Sequence, residues 1–182
     1  MLRVIRLFTA ALFFVCQAPA EVRSLTILHT NDLHARLSPL DDGKGGFAYL
    51  AAVIKRERAG CSDCILLNAG DLVQGTPVST IFHGLPVFGL GNLLGFDAAT
   101  LGNHEFDYGW EQTRTFLNVA DYPIVSANLE GPEGRLMTAQ PYIILHANGL
   151  RVGVIGAMTE SLVTLTTPKT RGPCRTLPLL HG

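Results

Sequence analysis

Charge is scarce in this chain: Asp, Glu, Lys and Arg make up 16% of 182 residues, and the formal net charge is −1. No basic stripe breaks that balance, which excludes nucleic acid as the main partner. Cysteine occurs four times. A paired-cysteine zinc site needs two such motifs, and only Cys61-Ser62-Asp63-Cys64 is present. No apolar run is long enough to span a bilayer, so stable membrane insertion is not expected. The stretch Asp41-Asp42-Gly43-Lys44-Gly45-Gly46 lacks a Ser or Thr at the required spacing after its lysine, which excludes a phosphate-cradling P-loop. Repeats and internal domain boundaries are missing too. With 47% hydrophobic residues, the chain past its leader reads as one globular domain, expected to be a monomer.

What is present begins with an export signal. Arg3 and Arg6 form a positive n-region, Leu7 to Val15 an apolar h-region, and Ala18-Pro19-Ala20 a cleavage site. The cut is expected after Ala20, making residues 1–20 a signal peptide. A membrane anchor needs a longer apolar run. A lipoprotein signal through Cys16 needs a small residue where Val15 stands. Export makes the chain periplasmic or secreted, in an oxidising compartment. There Cys61 and Cys64 read as a redox pair, half a zinc site or a small local disulfide. A thioredoxin-like pair follows a strand and opens a helix, whereas this pair precedes a strand. The local disulfide is favoured, with Cys174 unpaired.

Hydrophobic periodicity then alternates between two and 3.6 residues. Leu25 to Thr30 predicts a buried strand, with His29 as a packed core histidine. Phe47, Leu50, Ala51 and Ile54 predict a helix, which Lys55, Arg56 and Arg58 load at its C-terminal turn and Gly60 stops. Ile65-Leu66-Leu67 predicts a second buried strand. A short helix follows over Val78 to His83, with His83 exposed. Pro86 opens another helix with Val87, Leu90, Leu93 and Leu94 on one face. Ala98 to Leu101 and Pro123 to Asn128 predict further strands, separated by a helix marked by Trp110, Thr113 and Leu117. Tyr142–His146 and Arg151–Ile155 predict a hairpin turning at Asn148-Gly149. Past Thr167, prolines 168, 173 and 178 predict an irregular tail over residues 168–182. Strands alternating with helices predict an α/β fold with a largely parallel sheet.

Three polar loops follow the carboxyl ends of three strands, where open α/β sheets bind ligands. They read Asn31-Asp32-Leu33-His34, Gly70-Asp71, and Gly102-Asn103-His104-Glu105-Phe106-Asp107. Each alone has a plain structural use, as a cap, a turn or a surface histidine. Together they offer carboxylate, imidazole and amide donors, a set suited to Zn²⁺, Mn²⁺ or Fe rather than to a thiolate site. Asp32 and His34, two apart on an extended backbone, are expected to point the same way. A carboxylate between two ligand groups can bridge two ions roughly 3.5–4 Å apart, as two-metal hydrolases do.

Six co-linear segments carry a resemblance. They are Ile27-Leu28-His29-Thr30-Asn31-Asp32-Leu33-His34, Gly45-Gly46-Phe47, Asn68 to Pro77, Thr100 to Gly109, and Ser126-Ala127-Asn128-Leu129 with Val152-Gly153-Val154-Ile155-Gly156. From Leu25 to about Thr167 the chain resembles the N-terminal catalytic domain of the 5′-nucleotidase / UDP-sugar hydrolase family of calcineurin-like metallophosphoesterases. The resemblance implies part of a four-layer αββα sandwich over residues 21–167. It implies two divalent ions and a bridging hydroxide attacking a nucleotide phosphate. Asp32 and His34 are implied on the first metal, Asp71 bridging, and Asn103 on the second. His104 is implied to donate to the phosphoryl oxygens rather than ligate metal, with Asp107 orienting its ring and Glu105 structural. The family completes its metals with downstream histidines, one alone and then a Gly-His-x-His pair. This sequence has only His146, within a strand, and His181, in the tail. The tail departs from the family past Arg171, as an interrupted reading frame would. The expectation is therefore a truncated phosphoester hydrolase with little turnover by itself, the alternative being a non-catalytic fragment or weak metal-binding module.

Overall fold

The computed structural model describes residues 21–179. The expected signal peptide (1–20) and His181 lie outside the described residues. At the centre is a parallel sheet of β1 (Ile27–Thr30), β2 (Ile65–Asn68) and β3 (Ala98–Ala99), in the order β1-β2-β3. Ile27 stands opposite Ile65 and Leu67 opposite Ala98. The connections are helical, as parallel strands require. Helix α1 (Phe47–Ala59) joins β1 to β2, while α2 (Pro77–Ile81) and α3 (Leu85–Leu94) join β2 to β3. Helix α4 (Trp110–Val119) follows.

The helices cover one face of the sheet. Phe47 and Ile54 of α1 are buried as their spacing predicts. The rings of Phe88 and Phe116 stack at 4.4 Å between centroids and join α3 to α4. Burying each such ring contributes roughly 1.5–3 kcal/mol. Asp97 ties the end of α1 to the sheet: Arg58 and the Leu66 N–H both donate to its Oδ2, at 2.9 and 2.7 Å. In α3 the inward side differs from the expected one. Val87, Phe88, Gly91 and Leu94 are buried, while Leu93 is 80% exposed, because the helix lies on its Phe88 side against α4.

Three further expectations are corrected. Strand β1 is only half-buried, and His29 is exposed rather than packed. The reason is the sheet's alternation: Leu28 faces the helical core, while Ile27 and His29 face the other side. Among the described residues no helix covers that side; a mainly apolar hollow of about 410 Å³ lies there, bounded by His29, Leu67, Ala98, Val125 and Ile155. The segment from Pro123 to Asn128 forms no continuous strand. It extends the sheet only through bridges, Ile124 opposite Ala99 and Val125 opposite Gln140. The tail is not irregular in its described part. After β4 (Leu129–Glu130), the hairpin β5 (Tyr142–Ala147) and β6 (Leu150–Ile155), and α5 (Leu162–Leu165), it forms α6 (Pro168–Arg171) and β7 (Arg175–Thr176). Thr167 caps α6, and β7 pairs antiparallel with β4. The proline at 168 starts a helix instead of ending order, because its missing N–H is not needed there.

Other expectations hold. The β5–β6 hairpin turns at Asn148 and Gly149, both with positive φ. Cys61 and Cys64 form a disulfide, and Cys174 is free and buried. His83 is exposed, stacked on Tyr108 just past α2. Among the described residues no helix is long and apolar enough to cross a membrane.

Candidate metal centre

Adjacent parallel strands end side by side, so the loops after β1, β2 and β3 meet. Backbone hydrogen bonds knit the first two. Asp32 N–H donates to the Gly70 carbonyl at 3.1 Å, His34 N–H to Asp71 at 3.0 Å, and Ala35 N–H to Leu72 at 2.7 Å. That pairing bends the first loop sharply. Asp32, His34 and Ala35 have φ of 52°, 45° and 50°, so the extended backbone expected for Asp32-x-His34 is replaced by a left-handed one. Asp71 joins them at φ 54°. Such conformations cost on the order of 1–3 kcal/mol each and persist where surroundings over-determine them, often at functional sites.

Apolar neighbours anchor the polar loops. Leu72, Val73, Leu101 and Phe106 are all buried at 2% exposure or less. They pin the second loop just after Asp71 and the third on both sides of Asn103–Glu105. Gly70 and Gly102 let the second and third loops touch backbone to backbone. A Cβ on Gly70, at φ +92°, would lie 2.3 Å from the Gly102 nitrogen. One on Gly102 would lie 2.1 Å from Asp71 Oδ1.

Within this frame, donor atoms of His34, Asp71 and His104 fall within 4.8 Å of one another. The two imidazoles meet edge to face at 4.9 Å between centroids. Asp32 joins through His34, its Oδ1 3.6 Å from Nε2, and Asn31 donates to its other oxygen. Asp71 Oδ1 accepts the His104 N–H at 3.0 Å. Asn103 opens the short 3-10 turn His104–Phe106 and makes no side-chain capping bond there. Asp107 lies one turn on, and its Oδ2 is 2.7 Å from His104 Nδ1. Burial lowers the His104 pKa, but the hydrogen bond and charge of Asp107, with the charges of Asp71 and Glu105, carry it above the ordinary histidine range.

The donor set fits a divalent cation. His34 Nδ1 is buried without a hydrogen-bond partner. Such an orphan is costly unless something binds it. Carboxylates and imidazoles, about a third to half exposed, suit a borderline ion with room for water or substrate oxygen.

Glu105, expected to be structural, ties two of the loops together. It is fully buried. Its Oε2 accepts from the N–H groups of Gly102 at 2.6 Å and Asp71 at 3.0 Å, and its Oε1 from Leu72 at 2.7 Å. Burial pushes its carboxyl above the usual range against the pull of these donors. A carboxylate between His104 and Phe106 was the available signal; its three partners lie on two loops and could not be read from local pattern.

Residues 25–162 match the calcineurin-like phosphoesterase domain. A snake venom 5′-nucleotidase from Gloydius brevicauda is 41% identical over 159 residues, 79% of this chain and 27% of that protein. The 5′-nucleotidase of Rattus norvegicus is 38% identical over 166 residues, 83% of this chain and 29% of that protein. Among solved structures, the 5′-nucleotidase precursor of Thermus thermophilus superposes with a TM-score of 0.71 at 33% identity, over 85% of this chain and 32% of that one. The Haemophilus influenzae NAD nucleotidase gives 0.74 at 29% identity, over 85% and 30%. The chain thus spans less than a third of the length of these relatives. A parallel sheet with polar loops at its strand ends and a domain match over most of the chain lead to one assignment: the chain belongs to the calcineurin-like phosphoesterase family, as an N-terminal portion of its α/β fold.

Proposed function

We propose that this chain carries part of the active site of a metal-dependent phosphoester hydrolase of the 5′-nucleotidase type, acting on a nucleotide or related phosphoester. The observation behind the reading is the gathering of His34, Asp71 and His104 donor atoms within 4.8 Å at adjacent strand ends. Asp32, His34, Asp71 and Asn103 would hold the divalent ions, and Zn²⁺ and Mn²⁺ suit these donors. Bound there, the ions would acidify a water and offset phosphoryl charge.

The chain's own residues orient the reaction. The His104 N–H fixes the Asp71 carboxylate from the neighbouring loop. Asp107 occupies His104 Nδ1, which leaves Nε2 to donate to phosphoryl oxygens as charge builds on them. Asp107 also stabilises the imidazolium that makes this donation. The oxidised Cys61–Cys64 pair supports export to a periplasmic or extracellular space, since such bonds persist in oxidising compartments.

A metal-binding module without turnover is the second reading. It is favoured by the small set of donors: among the described residues a single group gathers, and His29, His83 and His146 are exposed elsewhere. The test is hydrolysis of p-nitrophenyl phosphate with Mn²⁺ or Zn²⁺. The chain alone binds the ions and turns over little. The same stretch within a polypeptide that supplies a Gly-His-x-His segment turns over, and His104→Ala lowers that rate by about 10²–10⁴-fold. Turnover by that polypeptide that ignores His104→Ala would overturn the hydrolase reading.

A further inference from the structure

We infer that Glu105 is a positioning residue: a buried carboxylate that sets the spacing between the Asp71 loop and the Asn103–His104 loop, and through it the affinity of the site for a divalent ion. The inference rests on the metal-centre reading above, but the clamp itself does not involve a metal. Glu105 reaches from the third loop to two consecutive N–H groups of the second, Asp71 at 3.0 Å and Leu72 at 2.7 Å. It also closes back on its own loop at Gly102, 2.6 Å away. Its backbone carbonyl accepts the Thr113 hydroxyl at 2.8 Å, fastening the same residue to α4. Thr113 is itself fully buried.

The arrangement is specific to position, not only to stability. Asp71 and Leu72 use their carbonyls to receive His34 and Ala35 from the first loop, while their N–H groups point to Glu105. One carboxylate therefore completes a chain of contacts through all three loops. Each oxygen has a distinct load. Oε2 takes Gly102 and Asp71, and Oε1 takes Leu72 alone. In Glu105→Gln the amide oxygen settles where two donors converge, and the NH₂ is left facing the Leu72 N–H. Glu105→Asp keeps the charge but is one methylene too short to reach all three.

The experiment has two arms on the full chain. Native-state amide hydrogen exchange reads the clamp without metal. Glu105→Gln lowers protection of the Leu72 amide by about 100-fold, while Asp71 and Gly102 stay within about 10-fold of wild type. Titration with Mn²⁺ reads the site. Glu105→Gln and Glu105→Asp each weaken binding by about 10–100-fold, as loss of a group supporting a ligand does. A control, Phe116→Leu, lowers the melting point comparably but leaves Mn²⁺ affinity within about 2-fold. Wild-type affinity in both Glu105 variants would overturn the inference, as would unchanged Leu72 protection. Failure of the wild-type chain itself to bind Mn²⁺ would strike the metal-centre reading instead, and the exchange arm would still decide the clamp.

Discussion

Gly102→Ala tests the contact between the second and third loops most sharply. An added Cβ would lie 2.1 Å from Asp71 Oδ1, 2.6 Å from its Cγ and 2.7 Å from its backbone nitrogen. The carboxylate can rotate away, but the nitrogen is held by Glu105 and cannot. Rotation gives up the bond from the His104 N–H. Overpacking costs typically 1–3 kcal/mol, and a lost bond to a charged acceptor about 1.5–3 kcal/mol. The sum, roughly 2.5–6 kcal/mol, lies below the middle of the 5–15 kcal/mol range typical of a domain, so the variant is expected to fold. Its site does not survive intact, because the carboxylate assigned to bridge has moved. Mn²⁺ affinity is expected to fall by at least about tenfold, equivalent to 1.4 kcal/mol. Gly89→Ala is the control. Nothing lies within 4 Å of its added Cβ in α3, so it raises stability by about 0.5–1 kcal/mol and leaves affinity alone. Calorimetric titration and urea unfolding on the three proteins measure both quantities. A Gly102→Ala protein that binds Mn²⁺ like wild type would refute the reasoning.

The Cys174 thiol, buried and pushed up to about 11, stays protonated at pH 8; a thiol reagent should modify it only on unfolding, and fast native labelling would contradict its placement. Cys61→Ser with Cys64→Ser opens a loop with sequence separation three, expected to cost at most about 2 kcal/mol in urea unfolding and no Mn²⁺ affinity. The uncovered sheet face predicts self-association. Ile155→Lys, at a position 70% exposed, should reduce light scattering without changing the melting point.

Local pattern located most elements because local causes made them: the i, i+3, i+4 spacing of α1, the Asn148-Gly149 turn, the apolar run of β2. The family was legible from six segments in order. What escaped depends on partners distant in sequence. His29 reads as core because its strand is apolar, yet whether a strand face is covered depends on what packs on it. Leu93 fits a helical stripe, but Phe88 stacking on Phe116 turned α3 by about one residue. The donor residues were nameable from their loops. The left-handed turn at Asp32 and His34 was not, since backbone bonds from the β2 loop impose it. Nor was the reach of Glu105 across to Asp71 and Leu72.

The central claim is that the loops after three parallel strands converge to hold divalent ions. Anomalous diffraction from crystals of the full chain grown with Mn²⁺ addresses it directly. The account predicts a peak at coordination distance from the carboxylate of Asp71 and an imidazole nitrogen of His34, lost in Asp71→Asn. No peak there, or one that persists unchanged in Asp71→Asn, would contradict it.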